Sequence, residues 1–250
     1  MKVEQAANPV AGKATPWFHA LTMSRATLVI TGTDTAVGKT VVASLLASHL
    51  RRSGLAVAAL KPFCSGGRDD AVALREAAGG LLGLEETNPW HFPAALAPLL
   101  AARQAGRSVR LPEVLAWARR IRRGFDLTLI EGAGGLLSPL GEGFDARHLI
   151  IALRALPIVV SPNRLGAVNQ VRLVLAALPA AAAASAQLVL VNPPRVDRAG
   201  RGNPALLAEY VGHDRVHVLP WLSNESARRR AQGVLQALCR AAGLLPMPKE

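Results

Sequence analysis

Cysteine is scarce: Cys64 and Cys239 are the only two among 250 residues. Two thiols cannot build a cysteine metal cluster by themselves and fall short of a disulfide framework, so a reducing, cytoplasmic setting is expected. Aromatic residues make up 4% of the chain, too few for a platform that stacks single-stranded nucleic acid. No apolar run reaches the roughly 18–20 residues of a membrane span. The stretches Leu173–Leu178 and Ala180–Ala184 are short and separated by Pro179. Internal repeats and a linker that would divide the chain are also missing. Met1–Ser24 contains no apolar core of the kind a secretory signal carries. It is expected to be a flexible leader, with Met23 as an alternative start, ahead of one domain over residues 25–250.

Lysine is the other scarce residue. The formal charge is +12, yet the 29 basic residues comprise 24 Arg and only 5 Lys. The charge allows an anionic partner, either a phosphorylated small molecule or a nucleic acid. An arginine bias spread over the whole chain, however, reads as a solvated surface. Lys2, Lys13 and Lys249 lie near the ends, which leaves Lys39 and Lys61 as the lysines in between.

What is present is a large apolar fraction, 50%, enough to bury a core. Short β-branched runs alternate with helical stretches. Strands are expected at Thr27–Thr31, Leu55–Leu60, Phe125–Ile130, Pro157–Val160, Gln187–Val191 and Arg215–Leu219. Helices are expected at Val41–Arg52, Asp70–Ala78 (capped by Asp69), Ala94–Ala105, Pro112–Arg123 and Asp145–Arg154. Three more are expected at Gly166–Leu178, Pro204–Val211 and Ser226–Ala242, with Pro179–Ala186 as a helix end and loop. The alternation predicts an α/β fold of the P-loop NTPase type, a mostly parallel sheet with helices on both faces.

Three motifs carry chemistry. Gly32-Thr-Asp-Thr-Ala-Val-Gly38-Lys39-Thr40 follows a strand and opens a helix, the setting of a phosphate-binding loop. Backbone N–H groups at the helix start would face the phosphates, Lys39 would reach the β- and γ-phosphates, and the Thr40 hydroxyl would ligate Mg²⁺. The two glycines are separated by five residues rather than the usual four, so Thr33 takes the place of the first glycine. Lys61-Pro-Phe-Cys-Ser65-Gly66 ends a strand, and the carboxyl ends of strands are where ligands bind in such sheets. Lys61 would there supply a second cation for a transferred phosphoryl group or an anionic intermediate. Leu127–Glu131 followed by Gly132-Ala-Gly134-Gly135 is an apolar strand ending in a carboxylate that would meet Mg²⁺ directly or through water. Asp70 offers a second carboxylate, and Cys64 reads as packing.

In order along the chain, the phosphate loop, Lys61-Pro-x-x-Ser65-Gly66, Asp70-Ala71, Asn88-Pro89, Glu131–Gly135, Leu165-Gly-x-x-Asn169 and Pro220-Trp-Leu222 resemble the dethiobiotin synthetases over about Thr27 to Leu222. The resemblance implies an ATP-dependent ring-forming ligase. Its substrates would be 7,8-diaminononanoate, CO₂ or bicarbonate, and ATP. The reaction would pass through a carbamate and a carbamic–phosphoric anhydride, releasing ADP and phosphate. It implies Lys39 and Lys61 as catalytic, and Thr40, Asp70 and Glu131 as Mg²⁺ ligands. ATP would lie against Ala36, Val37, Gly38, Lys39, Thr40 and Val41, then Asp70 and Glu131. Gly132, Ala133 and Gly134 would follow, with Asn192, Pro220, Trp221 and Leu222 around the base. Thr35 and Ser65 would contact the diamine. Asn169 would serve the neighbouring site of a homodimer, with no nucleic acid or membrane partner. Ala36, Pro193 and Arg164 depart from the residues usual in that family at those places.

Two other readings stand beside it: another ring- or amide-forming ligase of the same superfamily, and a partitioning-type ATPase. The second would bind DNA or membrane through Arg119, Arg120, Arg122 and Arg123, or through Arg228–Arg230. The Lys61–Ser65 motif speaks against such a switch, which holds no small-molecule carbamate.

Pro193 follows Asn192 where the resembled family commonly has an Asn-Asp pair, and proline offers neither an N–H nor a side-chain acceptor. A base site lacking one paired group loses discrimination before it loses binding. Measurable turnover with CTP or GTP beside ATP is therefore expected in a triphosphate panel. Inertness of both at millimolar concentration would count against it.

Overall fold

The computed structural model describes residues 25–244; the leader expected at Met1–Ser24 lies outside the described residues. The elements run in the order β1 (Ala26–Gly32), α1 (Lys39–Arg52), β2 (Val57–Leu60), β3 (Phe63–Ser65), α2 (Asp69–Ala77), α3 (Leu84–Thr87), β4 (Trp90–Phe92), α4 (Pro98–Gln104), α5 (Leu111–Arg122) and β5 (Leu127–Glu131). There follow α6 (Ala146–Leu153), β6 (Leu156–Pro162), α7 (Ala167–Ala177), α8 (Ala180–Ser185), β7 (Gln187–Val191), α9 (Arg198–Val211), β8 (Val216–Leu219) and α10 (Glu225–Ala241).

Six strands form one sheet in the order β2-β5-β1-β6-β7-β8, and every pairing is parallel. Side chains alternate between its faces with the two-residue period of a strand. Leu28 and Ile30 of β1, Leu127 and Leu129 of β5, and Ile158 and Val160 of β6 join one core cluster, with Leu46 and Leu50 of α1, Leu74 of α2 and Leu235 and Leu238 of α10. Val29, Ile130 and Val159 point the other way, into a cluster with Val114 and Trp117 of α5, Leu149 and Ile150 of α6 and Leu207 of α9. Covering both faces explains why the strands read as nearly unbroken apolar runs.

The structure corrects four expectations. The helix expected from Ala94 begins only at Pro98, because proline disfavours a helical residue before it, and Ala97 is extended. The segment expected as a loop after Pro179 forms α8, driven by five alanines, the strongest helix formers. α9 begins at Arg198, six residues ahead of the expected Pro204. Asp197 caps it by accepting from the Gly200 N–H at 2.6 Å. Pro204 cannot donate to the Gly200 carbonyl, but Asn163 Nδ2 does so at 2.9 Å, which relieves the interior proline. Asp69 is not a cap: α2 starts at Asp69 itself, behind Arg68, and its carboxylate lies in the first turn, where the helix dipole favours it.

β3 and β4, missed in the sequence, form a separate two-stranded parallel sheet just past Pro62. Phe63 stacks on Trp90 at 5.4 Å, and Trp90 meets Trp117 of α5 edge-on at the same separation. This small sheet ties the segment after Lys61 to the main body.

Leu129 is fully buried in β5, between β1 and β2. Leu129→Ala should cost about 2–5 kcal/mol. A lower urea midpoint with an unchanged slope is the expected result.

Candidate active site

The strand order reverses at β1, where the chain turns outward in opposite directions, and a ligand cleft is expected at the carboxyl ends there. Three segments meet at this rim. The loop Gly32–Gly38 leaves β1, Lys61 leaves β2, and Glu131 ends β5. The register Leu60↔Ile130 and Ile30↔Glu131 brings the next residue, Lys61, beside Glu131.

The loop folds tightly over its own strand. Gly32 has no room for a Cβ, which would lie 2.7 Å from Val37 Cγ2. Gly38 takes φ +96°, as glycine readily does, and Ala36 also adopts a left-handed φ of 57°. α1 then starts at Lys39 rather than Val41 and presents its first turn to the rim.

Around the rim, Lys61 Nζ donates to Glu131 Oε1 at 2.5 Å and to the Gly132 carbonyl at 3.3 Å. It lies 3.2 Å from Asp70 Oδ2. The side chains of Lys61 and Glu131 are 6% and 0% exposed, whereas that of Asp70 is 52% exposed. The Thr40 hydroxyl donates to Glu131 Oε1 at 2.8 Å. The other carboxylate oxygen, Glu131 Oε2, is buried without a hydrogen-bond partner. Lys39 Nζ donates to the Asp34 carbonyl at 2.8 Å, bending back over the loop. Burial, then the charge of Lys61, pulls the Lys39 ammonium down to about 8. Burial also works against charge on Lys61, but Glu131 and then Asp70 outweigh it and raise its pKa. Burial pushes the Glu131 carboxyl upward.

Two adjoining cavities share this rim. One of about 760 Å³ is lined by Thr35, Lys39, Thr40, Lys61, Ser65, Asp70, Glu131, Ala133 and Gly134, so most of the residues expected for phosphate, metal and diamine come together there. Gly132 is represented by its carbonyl on Lys61. The other cavity, of about 540 Å³, is lined by Val37, Asn192, Pro193, Pro220, Trp221 and Leu222. Ala36, Gly38 and Val41 face both. Asn169, in the first turn of α7, is exposed and lines neither.

Other lining residues carry no catalytic motif in the sequence. Ala95, Leu96 and Ala97 give the larger cavity an apolar wall because they are not helical. Pro98 was the available signal. Ser138 also lines it, fixed as its hydroxyl accepts from the Gly135 N–H at 2.9 Å. Cys64 is buried, as packing requires, yet it too borders this space.

The rim therefore offers two ammonium groups, two carboxylates and a hydroxyl to an anionic ligand and a hard cation, with an apolar compartment beside it. Comparison with known proteins agrees. Residues 26–229 match a family model described as AAA domain, AAA_26. The ATP-dependent dethiobiotin synthetase BioD of Anaeromyxobacter dehalogenans (strain 2CP-C) is 39% identical over 215 residues, covering 84% of this chain and 96% of that protein. The chain belongs to the dethiobiotin synthetase family. The synthetase of Rhodococcus erythropolis (strain PR4 / NBRC 100887) is 40% identical over 218 residues, 84% of this chain and 95% of the relative. Among solved structures, the MinC:MinD cell division complex of Aquifex aeolicus aligns at a TM-score of 0.55 and 14% identity, over 90% of this chain and 98% of that one. The pNOB8 ParA structure bound to nonspecific DNA aligns at 0.51 and 12%, over 87% and 98%. These likenesses show a shared P-loop NTPase fold. Family membership does not favour a partitioning switch.

The depressed pKa of Lys39 has a thermodynamic sign. Below about pH 8 the folded, ligand-free protein holds a buried cation, and the unfolded chain holds the same proton at less cost. That penalty fades as pH rises from about 8 toward the ordinary lysine value of 10.5, because the unfolded state binds more protons in that window. Lys39→Met should therefore melt higher than the parent at pH 7 without nucleotide. The difference should shrink by pH 10, and Mg-ATP binding should be weakened. Lower melting at pH 7 would contradict this.

Proposed function

We propose that the chain makes dethiobiotin from 7,8-diaminononanoate, CO₂ and ATP, releasing ADP and phosphate. The observation that carries the reading is the meeting of Lys39, Lys61, Asp70 and Glu131 at one rim, in a chain of this family. ATP fits with its base in the smaller cavity, near Asn192 and Pro220–Leu222, and its phosphates over the loop Ala36–Thr40 and the first turn at Val41. The apolar wall at Ala95–Ala97 suits the alkyl chain of the diamine, with Thr35 and Ser65 as polar contacts. The Ser65 hydroxyl has no hydrogen-bond partner among the protein groups, which leaves its capacity for a substrate.

The steps follow from charge. A substrate amine takes up CO₂ as a carbamate. The carbamate oxygen attacks the γ-phosphate and ADP departs. The second amine then attacks the carbonyl of the mixed anhydride, closing the ring and expelling phosphate. Negative charge gathers between oxygens in both transfers, where Lys39 and Lys61 provide fixed positive charge. No covalent nucleophile is needed.

Mg²⁺ fits the donor set: Glu131 Oε2 is orphaned, Thr40 and Asp70 offer hard oxygens, and Mg²⁺ favours one or two carboxylates plus phosphate oxygens. When bound, it would supply charge neutralisation on the phosphates. A homodimer in which Asn169 serves the neighbouring site is part of the proposal. It is supported by Leu165, 76% exposed just ahead of α7, and by exposed Leu173. One domain over residues 25–250 would carry the activity, in the cytoplasm. Support for that setting comes from two free, buried cysteines, and no helix among the described residues is long and apolar enough to cross a membrane.

The experiment is mass-spectrometric detection of dethiobiotin from the diamine, bicarbonate and Mg-ATP. Lys61→Gln should lower turnover about 10²–10³-fold, the cost of losing one charge-stabilising donor. The folded fraction is followed in parallel, because Glu131 loses its buried partner. Turnover without product, or a fully active Lys61→Gln, would overturn the reading.

A further inference from the structure

Asn88 belongs to a motif, Asn88-Pro89, that the chemistry above leaves unused. It lines neither cavity, yet it is 0% exposed and fully engaged. Its Nδ2 donates to the Lys61 carbonyl at 2.7 Å and to the Pro62 carbonyl at 3.2 Å. Its Oδ1 accepts from Arg68 Nε at 3.0 Å, and its main-chain carbonyl accepts from Arg68 Nη2 at 2.9 Å. The preceding residue adds one more bond, with the Lys61 N–H donating to the Thr87 carbonyl at 3.0 Å. Asn88 thus grips the backbone that carries Lys61 on one side and Arg68 on the other.

Both ends of this grip lead to the rim. Arg68 stands at the cap position of α2 with no side-chain cap bond of its own, and Asp70 lies two residues on, in the first turn. Asp70 Oδ2 in turn meets Lys61 Nζ at 3.2 Å. The connection is therefore a closed ring: Lys61 backbone, Asn88, Arg68, the start of α2, Asp70 and back to the Lys61 ammonium. Pro62 interrupts the hydrogen bonding that would otherwise continue β2, so the main sheet does not fix the chain just past Lys61. An amide is suited to the task. It donates to two carbonyls and accepts from a guanidinium at once, which neither a carboxylate nor a hydrocarbon can do.

We propose that Asn88 is a positioning residue for the ring-closing reaction, setting the placement of Lys61 relative to Asp70 by hydrogen-bonding the Lys61–Pro62 carbonyls and Arg68 together. The proposal rests on the role given to Lys61 above. Asn88 acts through Lys61 and touches no substrate.

The test is a double-mutant cycle on kcat, corrected for folded fraction, with Asn88→Ala measured alone and in Lys61→Gln. A displacement of about 1 Å can cost on the order of 10²-fold, so Asn88→Ala alone should lower kcat by roughly 10–10²-fold. In Lys61→Gln the same change should have little further effect, within about two-fold, because the group it positions is gone. Equilibrium binding of a non-hydrolysable ATP analogue should change little, since Lys39 and the loop are untouched. Asn88→Asp, which keeps the acceptor for Arg68 but loses the donor to Lys61, should resemble Asn88→Ala. Arg68→Met carries the same cycle from a side chain that is 21% exposed, so the outcome does not hang on one buried substitution. Equal fold-losses in both backgrounds, or a folded Asn88→Ala with parental kcat, would overturn the proposal while leaving the function standing. An active Lys61→Gln would instead overturn both.

Discussion

The pairing of Lys61 with Glu131 is the constraint on which the site depends. Neither charge has enough contact with water to be held by solvation, and an unpaired buried charge costs several kcal/mol. The two must therefore arrive together, and parallel pairing of β2 with β5 achieves this by placing their carboxyl ends side by side. The rest of the rim is fitted around that pair. Thr40 donates to the same carboxylate oxygen, Gly132 offers its carbonyl to the ammonium, and Asp70 approaches from α2. One carboxylate oxygen is left over, without a protein donor.

A second consequence is the division of labour between the lysines. Lys61 has its counter-charges in the protein, and its ammonium is held firmly. Lys39 has only a carbonyl within hydrogen-bond reach and lies beside another cation, so its charge is costly until an anion arrives. The phosphate loop is in this sense built for a ligand it does not supply. Stability is given up at Lys39 and recovered on binding, a common arrangement where a site must favour charge that develops during reaction.

The loops that follow the strands give the rim two unlike compartments. Ala36, Gly38 and Val41 face both, so the start of α1 is a shared wall rather than the property of one ligand. In the smaller cavity the wall is mostly proline and hydrocarbon, and Asn192 is itself held by Asn163, whose Nδ2 donates to its Oδ1 at 2.7 Å. On the other side, the small sheet of β3 and β4 carries Ser65 to the cavity edge, supported by the stacked aromatic rings behind it. The scarcity of aromatics in the chain does not weaken this support, because Phe63, Trp90 and Trp117 are gathered in one place.

The sequence by itself determined the alternation of strands and helices, the phosphate loop, both lysines and the carboxylate at the end of β5. These are local signals: hydrophobic period, glycine spacing, and a strand that stops at a charged residue. It also singled out Asn88-Pro89 without giving it work, since the bonds of Asn88 join segments some 20 to 27 residues apart. Only the tertiary structure decided that the Lys61 ammonium donates to the Glu131 carboxylate, because strand order and register are set by packing of the whole sheet. The same holds for α9. Its start depended on Asn163, a residue on another segment, satisfying the carbonyl that Pro204 could not. The three-residue strands β3 and β4 are likewise invisible to periodicity, being too short to show one, and exist because each provides the other's hydrogen bonds.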